Sequence, residues 1–273
     1  MRRHLLAGGL LATLVELVGA ESREVIGHEI NRGGHYWRLG DLDRALEVAT
    51  AALARADRSL GPDDEFTLNA VNNLGLILRA RKELEAAESH LQRVLDTRRR
   101  ISGPDHPATL NAMSNLALAK KDQNEFDEAI RLLEAARDRL LVVCVEEHGQ
   151  TLMTSSILAG VLVDHGRTAE AEPLLERTFS IAKRKLRPEH SLRLNAATSL
   201  ARVYSLDGRR EDAARTALEG AAGAQSLLGK RSLQAATVLD DLAAMLAMLG
   251  HHDEASELYT DIRETLRAAY GPE

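Results

Sequence analysis

An eight-residue stretch, Gly103-Pro104-Asp105-His106-Pro107-Ala108-Thr109-Leu110, recurs in altered copies every 42 residues. Upstream the same positions read Gly61-Pro62-Asp63-Asp64-Glu65-Phe66-Thr67-Leu68. Downstream they read Val145-Glu146-Glu147-His148-Gly149-Gln150-Thr151-Leu152 and then Arg187-Pro188-Glu189-His190-Ser191-Leu192-Arg193-Leu194. No other feature constrains the fold as strongly. A fixed period of this length means one supersecondary unit used repeatedly, each copy burying its apolar side against its neighbours.

Three further sets of positions obey the same period. Ala45, Ala87, Ala129, Ala171, Ala213 and Ala255 form one, where a small side chain lets two helices approach closely. Leu74, Leu116, Leu158, Leu200 and Leu242 form a second, each followed by a small residue: Gly75, Ala117, Ala159, Ala201 or Ala243. Gly40, Lys82, Asn124, Gly166, Gly208 and Gly250 form the third and mark a turn, since glycine and asparagine accept positive φ between two helices. Each unit is therefore a helical hairpin, with helix A before the turn and helix B after it. The boundary position that ends helix B is glycine at Gly61, Gly103, Gly229 and Gly271 but not at Val145 or Arg187.

The expected fold is all-α, an alpha-alpha superhelix of about 13 antiparallel helices. The frame gives a lone helix over 1–19 and six hairpins at 20–61, 62–103, 104–145, 146–187, 188–229 and 230–271, all in one domain spanning 1–273. The composition leans on Ala, Leu, Glu, Asp and Arg, which are mostly helix-favouring. Four of the six prolines, Pro62, Pro104, Pro188 and Pro272, fall at a single repeat position. The chain stops at Gly271-Pro272-Glu273, where another hairpin would begin, so the array either continues in a larger protein or is capped by its last helix B.

The small residue after leucine in helix A, with alanine early in helix B, resembles the tetratricopeptide repeat. The familiar unit has 34 residues, and eight more correspond to about one extra turn per helix. With the GPDHPATL boundary and the Leu68-Asn69-Ala70-Val71-Asn72-Asn73-Leu74-Gly75 helix, that length resembles the kinesin-light-chain subclass. The match is closest at 62–145 and weaker at both ends, at Arg23 to Ile26 and Lys230-Arg231-Ser232.

Residues Met1 to Ala20 admit two readings. Arg2-Arg3, an apolar run and Val18-Gly19-Ala20 have the layout of a secretory signal, with Glu16 against it. The repeat frame makes them a helix instead, with Leu6, Leu10, Leu14 and Leu17 on one face and Gly8-Gly9 as a weak point. No other segment is apolar for long enough to span a bilayer.

A net charge of −6 argues against a general nucleic-acid binder, which needs a basic surface. The basic runs Arg98-Arg99-Arg100 and Lys183-Arg184-Lys185 fall at helix C-termini, where cations complement the macrodipole. Cys144 is the only cysteine, which excludes an intrachain disulfide and fits a cytoplasmic setting. Its neighbours Leu140-Leu141-Val142-Val143 suggest a packed thiol.

His106, His148 and His190 share a repeat position and invite a metal reading. Stacked helices lie about 8–10 Å apart, whereas zinc ligands sit about 2 Å from one ion, so these histidines are expected to start helix A instead. His165 and His251-His252 fall at turns, and the acid pairs Asp63-Asp64 and Asp240-Asp241 lack a partner that would tune them. No nucleophile, base and orienter form a recognisable set, and no glycine loop suits a phosphate. The expectation is a protein without catalytic residues, cofactor or metal.

Helix A carries the informative surface. At 100° per residue, Leu68, Val71, Leu74, Gly75 and Leu78 share one face, while Asn69, Asn72, Asn73 and Leu76 share the other. Equivalents on that second face are Asn111, Ser114, Asn115 and Leu118, then Asn195, Thr198, Ser199 and Arg202. Asparagine forms helices poorly, and its amide suits either a peptide main chain or a tie between neighbouring A helices. The resemblance implies that the A helices line a concave groove in which such asparagines contact peptides. It then makes Asn31, Asn73 and Asn115 a ladder, with Arg79, Lys121 and Arg202 as anchors for acidic groups. The amides give way to Met153, Ser156, Ile157 and Gly160 in the unit at 146–187 and to Thr237, Asp240, Asp241 and Ala244 in the last, where the two aspartates make the end of the groove acidic. Trp37 reads either as core or as a recognition anchor.

The leading functional reading is a non-catalytic scaffold that binds a peptide or disordered segment of a partner protein. A regulatory or sensor domain coupled to a kinase, protease or other effector is the alternative, and self-association through the terminal repeats is a third.

Overall fold

The structure, a computed structural model, describes residues 22–228 and 233–270. Among the described residues it contains twelve α-helices and no strand. They are α1 (Arg23–Arg38), α2 (Leu42–Ser59), α3 (Glu65–Ala80), α4 (Leu84–Ser102), α5 (Pro107–Asp122), α6 (Phe126–Val143), α7 (Gly149–Asp164), α8 (Thr168–Lys185), α9 (Ser191–Leu206), α10 (Arg210–Leu228), α11 (Leu233–Leu249) and α12 (His252–Tyr270). Odd-numbered helices are A helices and even-numbered ones B helices. The helix expected over 1–19, Gly229 and Gly271 lie outside the described residues.

All six A-to-B turns close in the same way. Gly40, Lys82, Asn124, Gly166, Gly208 and Gly250 have φ between 65° and 93°. Each donates its N–H to the carbonyl three residues back, and the next residue donates to the carbonyl five back. That second bond runs from Asp41 to Tyr36, Glu83 to Leu78, Glu125 to Lys120, Arg167 to Leu162, Arg209 to Tyr204 and His251 to Leu246, at 2.8–3.1 Å. This is the Schellman arrangement, which satisfies carbonyls that a helix end would otherwise leave bare. Lys82 adopts it against the steric preference of its Cβ, a cost of about 1–2 kcal/mol.

The recurring stretch is the complementary device at the B-to-A boundaries. Gly103 ends α4 with φ of 91°. His106 then caps α5 by accepting the Ala108 N–H at Nδ1 (3.1 Å), and Pro107 occupies the first turn. His148 caps α7 and His190 caps α9 in the same way, at 3.3 and 3.2 Å. Asp64 does so for α3 through the Phe66 N–H at 2.8 Å, and Ser22 for α1 through that of Val25. An imidazole accepting at Nδ1 carries its proton on Nε2. The Thr109 hydroxyl reaches back to the Gly103 carbonyl (2.8 Å), and that of Thr151 to the Val145 carbonyl (3.2 Å).

The chain divides into two compact units, residues 1–139 and 140–273. In the first, α1 packs on α2 and α3, α3 on α4 and α5, and α4 on α5. In the second, α9 packs on α7, α8, α10 and α11, while α12 packs on α10 and α11. The repeated alanines are buried, none more than 3% exposed. Leu74, Leu116, Leu158, Leu200 and Leu242 are buried as well. At Gly75 a Cβ would lie 2.9 Å from Leu91 Cγ, so the small residue is what lets helix B approach.

Helix α10 comes unusually close to its partner. A Cβ at Gly223 would lie 2.4 Å from the Pro188 carbonyl oxygen, and one at Gly220 would lie 3.2 Å from Ala197 Cβ. Two glycines inside a helix cost about 1 kcal/mol each relative to alanine. Here that cost is offset by an approach no larger residue permits.

The basic runs pair with boundary acids. Arg100 bonds Asp63, and at the equivalent position Arg184 bonds Glu147 at 2.8 Å. Lys185 also reaches Glu147, and Lys183 reaches Glu219, both at 2.8 Å. Val142 stands at the position of Arg100 and Arg184, and its side chain is accordingly turned outward, 86% exposed. Leu140 is buried, but Leu141, Val143 and Val145 are exposed and Cys144 only half-buried, so the expected packed environment of the thiol is corrected. The apolar run was misleading because the period, not hydrophobicity, sets which way these side chains point.

Gly223→Ala is expected to lower the thermal midpoint despite alanine's better helix propensity. Gly160→Ala in α7, where nothing lies within 4 Å of the added carbon, is expected to stabilise by up to about 1 kcal/mol. Urea unfolding of both variants checks the pair. His148→Ala is expected to cost about 0.5–2 kcal/mol, while His148→Asn, which keeps a capping acceptor, retains most of it in the same measurement.

Candidate functional site

In the first compact unit α1, α3 and α5 are the A helices, and the expected amide positions fall on them. Asn31, Asn69 and Asn111 are exposed, while Asn72, Asn73 and Asn115 are half-buried. The half-buried ones lie where adjacent A helices meet. The Asn115 Nδ2 donates to the Asn72 Oδ1 at 2.8 Å, joining α5 to α3. Asn73 Nδ2 would lie 3.9 Å from a Cβ at Gly34, which brings the amide over the α1 backbone. Asn69 accepts from Arg98 of α4 at 3.2 Å. Ser114 departs from the expected free face, because it is buried and its hydroxyl bonds the Leu110 carbonyl. Its short side chain lets the backbone carbonyl behind it serve as partner.

Two of the three expected cationic anchors, Arg79 and Arg202, have acidic neighbours of their own. Arg79 Nε lies 3.3 Å from Asp122 Oδ2, the last residue of α5, while its Nη1 is buried without a hydrogen-bond partner. Burial lowers the pKa of this guanidinium, and the charge of Asp122 opposes the shift. Two residues before Asp122, Lys120 bridges Glu88 at 2.6 Å and Glu125 at 3.0 Å. The ion pair with Lys120 holds the Glu88 carboxyl below its usual range against the opposing effect of burial. Lys121 is half-buried. In the second unit Asn195 is exposed on α9, and Arg202 pairs with Asp164 at 3.1 Å. Eight of the ten positions, Asn31, Asn69, Asn72, Asn73, Arg79, Asn111, Asn115 and Lys121, therefore share one unit.

Sequence inspection had no means of finding Asp122 as the counter-ion of Arg79, because that pairing crosses between hairpins. Trp37 is half-buried in the last turn of α1, so it fills neither the core nor the open face completely.

Among protein-family profiles, the tetratricopeptide repeat matches residues 25–99, 66–141 and 150–226, and a second tetratricopeptide-repeat profile matches 235–273. The chain belongs to the tetratricopeptide-repeat family. Its repeats are of kinesin-light-chain-like type. The nearly identical TPR-like repeats of a Podosopora anserina protein assigned as a kinesin light chain share 25% identity, with a TM-score of 0.58 over 71% of this chain and 92% of that one. BtubC (BKLC) from P. vanneervenii has the same fold at 16% identity, with a TM-score of 0.68 over 85% and 93%. A Rap protein complexed with competence and sporulation factor has it at 13% identity, with a TM-score of 0.66 over 96% and 80%. No curated protein sequence matches the chain. Among the described residues no helix is long and apolar enough to cross a membrane.

A double-mutant cycle of Asn72→Ala and Asn115→Ala is expected to give a coupling energy of about 0.5–1.5 kcal/mol in urea unfolding. A coupling of zero removes the amide bond from the forces that join α3 to α5.

Proposed function

We propose that this protein is a non-catalytic interaction scaffold that captures an extended or disordered segment of a partner protein along the A helices of its first compact unit. The observation that carries the reading is the amide face of α1, α3 and α5, half-exposed and joined across helices by the Asn72–Asn115 bond. A peptide main chain offers both N–H and C=O groups, and an asparagine amide can answer either. Half-exposed amides satisfied by one another can exchange partners at little net cost, because the peptide replaces the bonds it breaks. Asn31 and Asn111 extend the face at its exposed edge, and Lys121 adds a positive charge in the last turn of α5.

The likeness to Rap proteins in their complexes supports the same reading. A Rap protein is complexed with competence and sporulation factor, and a Rap conjugation gene regulator with the Phr* peptide. The net charge of −6 disfavours nucleic acid as the partner. A cytoplasmic location accords with Cys144 remaining a thiol.

A phage-displayed library of random peptides panned on the full chain is expected to yield binders. The Asn73→Ala/Asn115→Ala variant is expected to lose them with helicity unchanged by circular dichroism. Undiminished capture by a folded double variant overturns the assignment of the face.

A further inference from the structure

In the second compact unit a cleft of about 430 Å³ opens between the B helices α8 and α10, with α9 as its floor. Phe179, Leu200, Tyr204 and Thr216 line its base, none more than 8% exposed. The chain has only three phenylalanines and four tyrosines, and one of each is here. The repeat frame explains the space. Where Thr216 stands, α6, α8 and α12 carry Leu132, Leu174 and Leu258; where Ala217 stands, α4, α6 and α8 carry Leu91, Leu133 and Leu175. Tyr204 stands where Leu78, Leu162 and Leu246 stand in other A helices. The helix that should fill the interval between neighbouring B helices has been cut back, and rings from the facing helices line what is left.

The charges around the mouth are unequal in what they offer. Both lining carboxylates already hold protein donors: Glu176 accepts the Tyr204 hydroxyl at 2.7 Å, and Glu219 accepts Lys183 at 2.8 Å and Arg193 at 3.0 Å. Burial and the bond to Glu176 push the Tyr204 phenol up to about 12, which keeps it a donor. Lys183 also lies 5.5 Å from the centroid of the Phe179 ring. Arg184 and Arg215 have side chains 57% and 72% exposed, and their pairs with Glu147 and Asp212 are surface pairs that a ligand carboxylate can displace at little cost. An added cation would find both carboxylates occupied. An added anion would find two readily movable cations, Arg184 and Arg215, beside Lys183.

We propose that this cleft binds a small carboxylate with an aromatic or branched apolar body. The body rests on Phe179, Leu200 and Tyr204, and the carboxylate meets Lys183, Arg184 and Arg215. The site is independent of the amide face, so either assignment can fail without the other.

The test titrates 3-phenylpropionate and its neutral amide into the full chain, followed by ¹H–¹⁵N chemical shifts. The acid is expected to bind with a dissociation constant of about 1 mM or below, with shifts centred on Thr216 and Tyr204. The amide is expected to bind about fivefold more weakly. Thr216→Leu, which restores the repeat's leucine, is expected to weaken binding about tenfold while leaving the melting midpoint unchanged or raised. Tyr204→Leu serves in its place if that variant does not fold. Absent or scattered shifts, equal binding of acid and amide, or undiminished binding by the folded leucine variant each overturn the proposal.

Discussion

The structure depends on a single backbone event, repeated six times: a residue with positive φ that reverses the chain between helix A and helix B and hands two carbonyls to the N–H groups just beyond. That event fixes where helix A stops and on which side helix B returns. The buried alanine of helix B then comes to lie where the leucine and small residue of helix A can pack. Without the reversal the apolar stripes of both helices would face water, and neither helix has enough intrinsic propensity to persist alone. Lys82 shows the strength of the constraint, since a Cβ-bearing cationic residue accepts the left-handed region because the surrounding hairpin leaves it no alternative.

Boundary chemistry is more varied. The caps are serine, aspartate or histidine, and the glycine that precedes them is dispensable at Val145 and Arg187. The difference has a physical source. An N-cap needs only an acceptor atom within reach of the second or third N–H, which several side chains supply, whereas the reversal needs a backbone conformation that few residues adopt readily. The same tolerance lets an imidazole serve at three boundaries, where the Nδ1 of His106, His148 or His190 is committed to its own helix.

Most of the fold was legible because it is written in the period. The turn, the alanine set and the leucine–small pair could be aligned by counting, and all fall where the count puts them. Legibility ended where residues act across hairpins or depart from the frame. Arg79 looked like an anchor for acidic groups and lies against Asp122; Val142 and Val143 looked like packed neighbours of the thiol and face outward. The amide face was visible as a pattern, but its two interpretations, ligand contact and tie between helices, use the same donors and acceptors. The Asn72–Asn115 bond shows that the tie exists.

The identity of all six reversals has a consequence for how such a chain can change over generations. Because the six reversals share one backbone state, an in-frame gain or loss of 42 residues by unequal recombination between one reversal and the next joins equivalent points and creates no new kind of junction. Length is then a heritable variable almost decoupled from foldability, and local specialisations such as the shortened side chains of α10 can be carried along, duplicated or discarded as whole cassettes.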